Sequence, residues 1–152
     1  MAAGTRPDIR LTAEEQAEFL RQNRKCALAT LDKDGFPHVV AMSFYAKDGA
    51  YYMTSYGKAQ KVVNIRRNPN VGLMVEAGGS YGELRGVMVR GHCEIIEDAA
   101  AVEEVFAEMA GNRPTGEKRP ERPANLASKR VVLKIVPHKT TTWDHSKLGG
   151  RY

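Results

Sequence analysis

Residues 25–77, KCALATLDKDGFPHVVAMSFYAKDGAYYMTSYGKAQKVVNIRRNPNVGLMVEA, decide the fold. CALATLD is a compact apolar run of strand length, and Asp34-Gly35 just after it is a hairpin signal. The return strand runs from Pro37 to Ala46 and meets a second tight turn at Asp48-Gly49. AYYMTS, residues 50–55, is a third strand. Strand, turn, strand, turn, strand is an antiparallel meander, because parallel neighbours need a long crossover. Between Gly57 and Arg67 the period becomes helical, with Val62 and Ile65 on one face among Lys58, Lys61, Arg66 and Arg67. Asn68-Pro69-Asn70 stops that helix, and VGLMVEA opens a fourth strand.

The flanks extend the same plan. Residues 1–10 read as a loosely docked tail, followed by a helix from Thr12 to Asn23. Thr12 and Glu15 have capping-box spacing, Leu11 is placed to staple, and Phe19 and Leu20 form the apolar stripe. On the other side, Gly78-Gly79-Ser80 turns the chain into a long fifth strand from Glu83 to Ile96. Its glycines, Gly86 and Gly91, mark bulges or sharp coiling. A helix capped by Asp98 carries Val102, Val105, Phe106 and Met109 on one face. Residues 111–125, with Pro114, Pro120 and Pro123 among charges, read as an exposed loop. KRVVLKIVP is the sixth strand, and residues 144–152 form a polar tail. The expectation is a single domain over 1–152, mainly β with short helices (α+β). Six antiparallel strands close into a small barrel, which removes exposed sheet edges.

Bulk composition narrows the class. In 152 residues, 42% hydrophobic and 27% charged content argues against wholesale disorder. No apolar run reaches the roughly 20 residues of a membrane helix, and the N-terminus lacks a signal-peptide core. Cys26 and Cys93 lie in apolar strand-like runs without metal-ligand spacing, as reduced core cysteines of a cytoplasmic protein do. Lys and Arg number 23 against 18 Asp and Glu, a formal +5 that favours an anionic partner.

Chemistry is constrained mainly by absences. His38, His92, His138 and His145 are scattered without zinc-site spacing, and read as surface or strand histidines. No Gly-x-Ser-x-Gly elbow, Walker loop or dinucleotide fingerprint occurs. What remains is residues 54–69, TSYGKAQKVVNIRRNP. Thr54 and Ser55 end a strand with hydroxyls, and the chain then enters a helix whose first amides lack partners. Such a start binds phosphate, and Lys61 adds a full charge one turn in. A solvated basic helix is the competing reading of the same residues.

The order helix, strand, Asp-Gly turn, strand, strand ending Thr-Ser, then KxxNIRRNPNVGLMVE, together with LRGVMVRGHCEIIED, resembles the pyridoxamine 5′-phosphate oxidase-like split barrels. The likeness covers Leu11 to Trp143. Within that superfamily the helix and the tail WDHSKLGGRY are most similar to the small actinobacterial type that uses the deazaflavin coenzyme F420. The resemblance implies a split β-barrel that works as a homodimer and holds a flavin or deazaflavin in the groove between subunits. It places Lys61 on the cofactor phosphate, with Lys58 in the same basic cluster. Gln60 stands where many flavin-binding members carry arginine, which favours F420 over flavin mononucleotide (FMN). Thr54 and Ser55 fall among the phosphate's hydroxyl and amide donors. The strand His38, Val39, Val40, Ala41, Met42, Ser43 corresponds to the one lying along the tricyclic ring. Trp143 and Lys147 fall in a tail that reaches the partner's cofactor. The arginine, histidine and tyrosine set that binds substrate in true pyridoxamine phosphate oxidases is not reproduced.

The function so implied is hydride transfer between a deazaflavin and a small conjugated organic substrate, the cofactor performing the chemistry. An FMN-dependent oxidoreductase of the same fold, and a cofactor-binding protein without turnover, are the alternatives. Single-stranded nucleic acid needs aromatics alternating with cations on a sheet face, and Tyr45, Tyr51 and Tyr52 are too few to favour it. An apolar dimer surface is expected on Tyr51, Tyr52, Met53, Leu73 and Met74.

Overall fold

The computed structural model describes residues 5–113, 116–118 and 121–150. Three helices, α1 (Ala13–Gln22), α2 (Gln60–Arg67) and α3 (Ala99–Gly111), join seven strands. The strands are β1 (Lys25–Leu31), β2 (Pro37–Ser43), β3 (Tyr45–Lys47), β4 (Ala50–Tyr56), β5 (Asn70–Ala77), β6 (Arg85–Ile96) and β7 (Arg130–Asp144). All pairings are antiparallel, in the order β2-β1-β5-β6-β7-β4-β3. Period-two burial turns Leu28, Met53, Leu73, Val75, Val87, Val89, Leu133 and Ile135 into one interior, each at most 1% exposed. Val62 and Ile65 of α2 join it. Val102, Val105 and Phe106 of α3 pack on the opposite face of the sheet, against Tyr45 and Val132.

Six strands were expected, and seven form because the predicted Pro37–Ala46 strand breaks at Phe44. Ser43 still pairs with Lys25, whereas Tyr45 pairs with Tyr52 at the other edge of the sheet. Phe44 is buried in the core, and its amide donates to the Arg24 carbonyl. One residue therefore carries the chain between the two edges and closes the sheet covalently. Away from that junction β2 and β4 diverge. No ladder joins them, so β2 and the Met53–Tyr56 half of β4 each keep an unpaired edge. This is the split of the barrel. Helix α2 runs from the end of β4 to β5, the partner of β1, and so bridges the gap.

The C-terminal expectation also needs correction. The last strand does not stop at Pro137 but runs on to Asp144, pairing with the first half of β6. His138 is the extra residue of a bulge, since Gly91 opposes Pro137 and Arg90 opposes Lys139. Gly91 is required there, because a Cβ would lie 2.5 Å from the Val136 carbonyl oxygen. Trp143 thus belongs to the sheet, and its indole covers Gly86, where any Cβ would collide with the ring. The described parts of the two terminal segments are tied to the sheet and to each other. Asp144 donates its amide to the Ile9 carbonyl (2.7 Å), Leu11 donates to Thr142 Oγ1 (2.9 Å), and a short turn at His145–Leu148 buries Leu148. Residues 1–4, 114–115, 119–120 and 151–152, parts of the predicted tails and exposed loop, lie outside the described residues.

Candidate functional site

Alternation along β4 separates the two hydroxyls that the sequence places together. Ser55 points into the barrel opposite Val131, its hydroxyl donating to the Tyr56 carbonyl at 3.3 Å. Thr54 points outward, with Tyr56. The residue that joins it there is Arg130, which opens β7 and pairs with Tyr56. Arg130 Nη1 donates to Thr54 Oγ1 (3.2 Å) and to the Thr54 carbonyl (3.3 Å). Its guanidinium lies 4.6 Å from the Tyr56 ring centre, and its Nε is buried without an acceptor.

Lys61 on α2 is half-buried beside it. Burial, and secondarily the Arg130 charge, hold the Lys61 ammonium below its ordinary pKa of 10.5. Among the described residues neither cation has a carboxylate partner. Two partly desolvated like charges are costly unless an anion compensates them. Ala59, the N-cap of α2, brings no capping side chain, so first-turn amides are also left to a ligand or water. Lys61, Arg130, Thr54 and these amides are cationic and hydrogen-bonding groups of the kind a phosphate-like anion takes.

The rest of the predicted basic cluster divides. Lys58 is exposed and free of carboxylates among the described residues. Arg66 pairs with Glu97, and Arg67 donates to the Leu31 carbonyl and to Asn64 Oδ1. Gln60 donates to the same Asn64 oxygen at 2.8 Å, while fully buried Asn64 donates to Thr30 Oγ1 at 3.0 Å. Gln60, Arg67 and Asn64 therefore fix α2 against β1.

On β2, His38, Val40 and Met42 turn inward and are half-buried, while Val39 and Ala41 face outward. His38 lies opposite Thr30, and its Nδ1 is buried without a partner. The unpaired edge of β2 and the Arg130 site thus stand on the two sides of the split, both with unused polar groups. A cofactor with a flat hydrogen-bonding ring and an anionic side chain fits these residues.

Trp143 and Lys147 are not brought to this place. Thirteen residues of strand, about 40 Å, separate Trp143 from Arg130 along β7. Lys147 donates to the Arg10 carbonyl (2.7 Å) and to Glu15 Oε2 (2.6 Å), locking the two termini together. Arg130 escaped sequence reasoning because only the pairing of β7 with β4 sets it beside Thr54. A separate open cavity of about 750 Å³ lies at the other end of β4, between Ala13 and Ala17 of α1 and a floor of Tyr45 and Tyr51. Cys26 and Cys93 are free and buried, which pushes both thiols up to about 12.

The sequence profile of the pyridoxamine 5′-phosphate oxidase family matches residues 12–144. The chain belongs to that family. A structure of a conserved hypothetical protein, Rv2991, from Mycobacterium tuberculosis is 35% identical, with a TM-score of 0.83 over 99% of this chain and 95% of that one. A structure named F420 Reductase is 27% identical, with a TM-score of 0.67 over 82% of this chain and 94% of that one. A FAD-binding protein from Mesorhizobium loti, 24% identical with a TM-score of 0.67 over 87% and 94% of the two chains, shares the fold. No curated protein matches the chain. The split barrel read from the sequence is the fold of this family, with seven strands in place of six. Among the described residues no helix is long and apolar enough to cross a membrane.

Proposed function

We propose that the protein is an F420-dependent oxidoreductase acting on a small conjugated organic substrate. The observation that carries this reading is the unpaired Lys61–Arg130 couple beside Thr54, set across the split from the free edge of β2. When bound, the deazaflavin supplies hydride chemistry, two electrons and a proton moving together between ring and substrate. The chain's own residues do the rest. Lys61, Arg130 and the first amides of α2 hold the anionic end. The β2 backbone from Val40 to Met42 orients the ring edge, and His38 offers Nδ1 beside it. Lys58, at the rim, steers anions inward. The 27% identity to a protein named F420 Reductase supports F420 over FMN. So does Gln60, whose amide is spent on Asn64 and adds no charge to the site.

The same reading makes the protein a cytoplasmic homodimer, since Trp143 and Lys147 reach a cofactor only if a second subunit supplies them. Of the apolar residues expected on the dimer surface, Tyr51, Met53 and Leu73 are consumed by the barrel interior, and only Met74 is well exposed. The surface proposed instead is the outer face of β2, β1 and β5, where Ala41, Ala27 and Met74 lie in one row and Val39, Ala29 and Gly72 in the next. Val39 and Met74 are 60% and 39% exposed there.

Fluorescence titration of the protein with F420 and with FMN, at low and high salt, tests the cofactor reading. Tighter binding of F420, with the steeper loss on adding salt, is the expected result. Tighter FMN binding would replace F420 by FMN and leave the barrel standing.

A further inference from the structure

Beyond Arg130, the same aromatic shelf carries another cation. The Arg122 guanidinium lies 4.1 Å from the centre of the Phe106 ring, and the Arg130 guanidinium lies 6.0 Å from that same centre. Phe106 is buried on α3, and Tyr56 holds the other flank of Arg130 at 4.6 Å. Lys61, Arg130 and Arg122 thus follow one another from α2 across β7 to the segment ahead of the turn at Ala127–Lys129. None of the three meets a carboxylate among the described residues, although Arg66, Lys47, Lys134 and Arg85, among others, do. Stacking on an aromatic face fixes the plane of a guanidinium and leaves its N–H edge free to donate. Two guanidiniums beside one ring repel each other, and negative charge placed near both offsets that repulsion.

We propose that Arg122 is a specificity residue of the anion site, reading a second negative group that lies beyond the one held by Lys61 and Arg130. The inference rests on the reading of Lys61 and Arg130 as a phosphate site and adds the valence of the ligand: a phosphate-bearing chain with a further phosphate or carboxylate. A ligand ending in a single phosphate leaves Arg122 unused.

Calorimetric titration tests this with four probes: inorganic phosphate, inorganic tripolyphosphate, 3-phosphoglycerate and glycerol 3-phosphate, the last a phosphate ester without the carboxylate. The wild type is expected to bind at least one of the doubly functional probes about tenfold more tightly than its singly functional counterpart, the size of one charge-assisted contact. Arg122→Gln removes most of that margin and leaves phosphate and glycerol 3-phosphate affinity unchanged. Lys129→Gln, the same charge change on an exposed neighbour, leaves the margin intact. Retention of the margin by tripolyphosphate identifies the second group as phosphate, and by 3-phosphoglycerate as carboxylate. An equal loss in Lys129→Gln shows diffuse charge and overturns the proposal, as does a margin that survives Arg122→Gln. Phosphate binding indifferent to Lys61→Ala overturns the underlying site as well, whereas a Lys61-dependent site blind to Arg122 overturns this inference alone.

Discussion

Lys61 is a half-buried cation held beside a second positive charge. Its pKa is depressed in the folded protein relative to the ordinary 10.5, so folding favours the neutral amine. The penalty for the charged form is full below the folded pKa and is relieved as pH rises from there to 10.5, the window in which the unfolded chain binds more protons. Stability of the free protein should therefore gain from Lys61 as pH climbs toward 10.5, while anion affinity falls over the same window. Titrations of cofactor affinity and of thermal midpoint against alkaline pH check the two opposite slopes. Lys61→Ala should weaken cofactor binding about tenfold or more, one charge-assisted contact, without lowering the thermal midpoint of the free protein, since it removes a desolvated charge, and should abolish the alkaline rise in that midpoint. Unchanged affinity would make the helix a solvated basic surface. Lys61 was legible in the sequence because it sits within eight positions of Thr54 and a helix start. Arg130 was not, because 76 positions separate it from Thr54 and only strand pairing joins them.

At the scale of elements, most of the fold was readable and the exceptions have local causes. Capping at Thr12 and Asp98, and the apolar faces of α1, α2 and α3, formed where period and cap chemistry placed them. The break at Phe44 was hidden because strand pattern continues unbroken through SFYA while the pairing partner changes. The extension of β7 was hidden too, since KTTTWD is polar, as a strand with a solvated face is. Two substitutions test these elements. Asn64→Ala leaves Thr30 without its donor inside the barrel and should cost about 1–3 kcal/mol, the usual penalty for an orphaned buried polar group; chemical denaturation measures it. Gly86→Val should expel the Trp143 indole, lowering the denaturation midpoint and red-shifting tryptophan emission, which Trp143 alone produces. A fluorescence spectrum identical to the wild type would show that the indole does not depend on Gly86.

For the molecule as a whole, the sheet leaves two cofactor-sized demands unmet within one chain: the split exposes a strand edge and uncompensated cations, and the outer face of β2, β1 and β5 exposes apolar side chains. In the proposed dimer a second copy meets the latter and brings its own Trp143 and Lys147 toward the former. Permanent dimers bury large apolar surfaces of this kind. Sedimentation velocity followed at the visible absorbance of F420 measures both at once. The cofactor signal is expected to move with a boundary of dimer mass, one F420 for each chain, and to stay behind, unbound, when Lys61 and Arg130 are both neutralised. Cofactor that never joins the protein boundary, or that travels with a monomer, would contradict this.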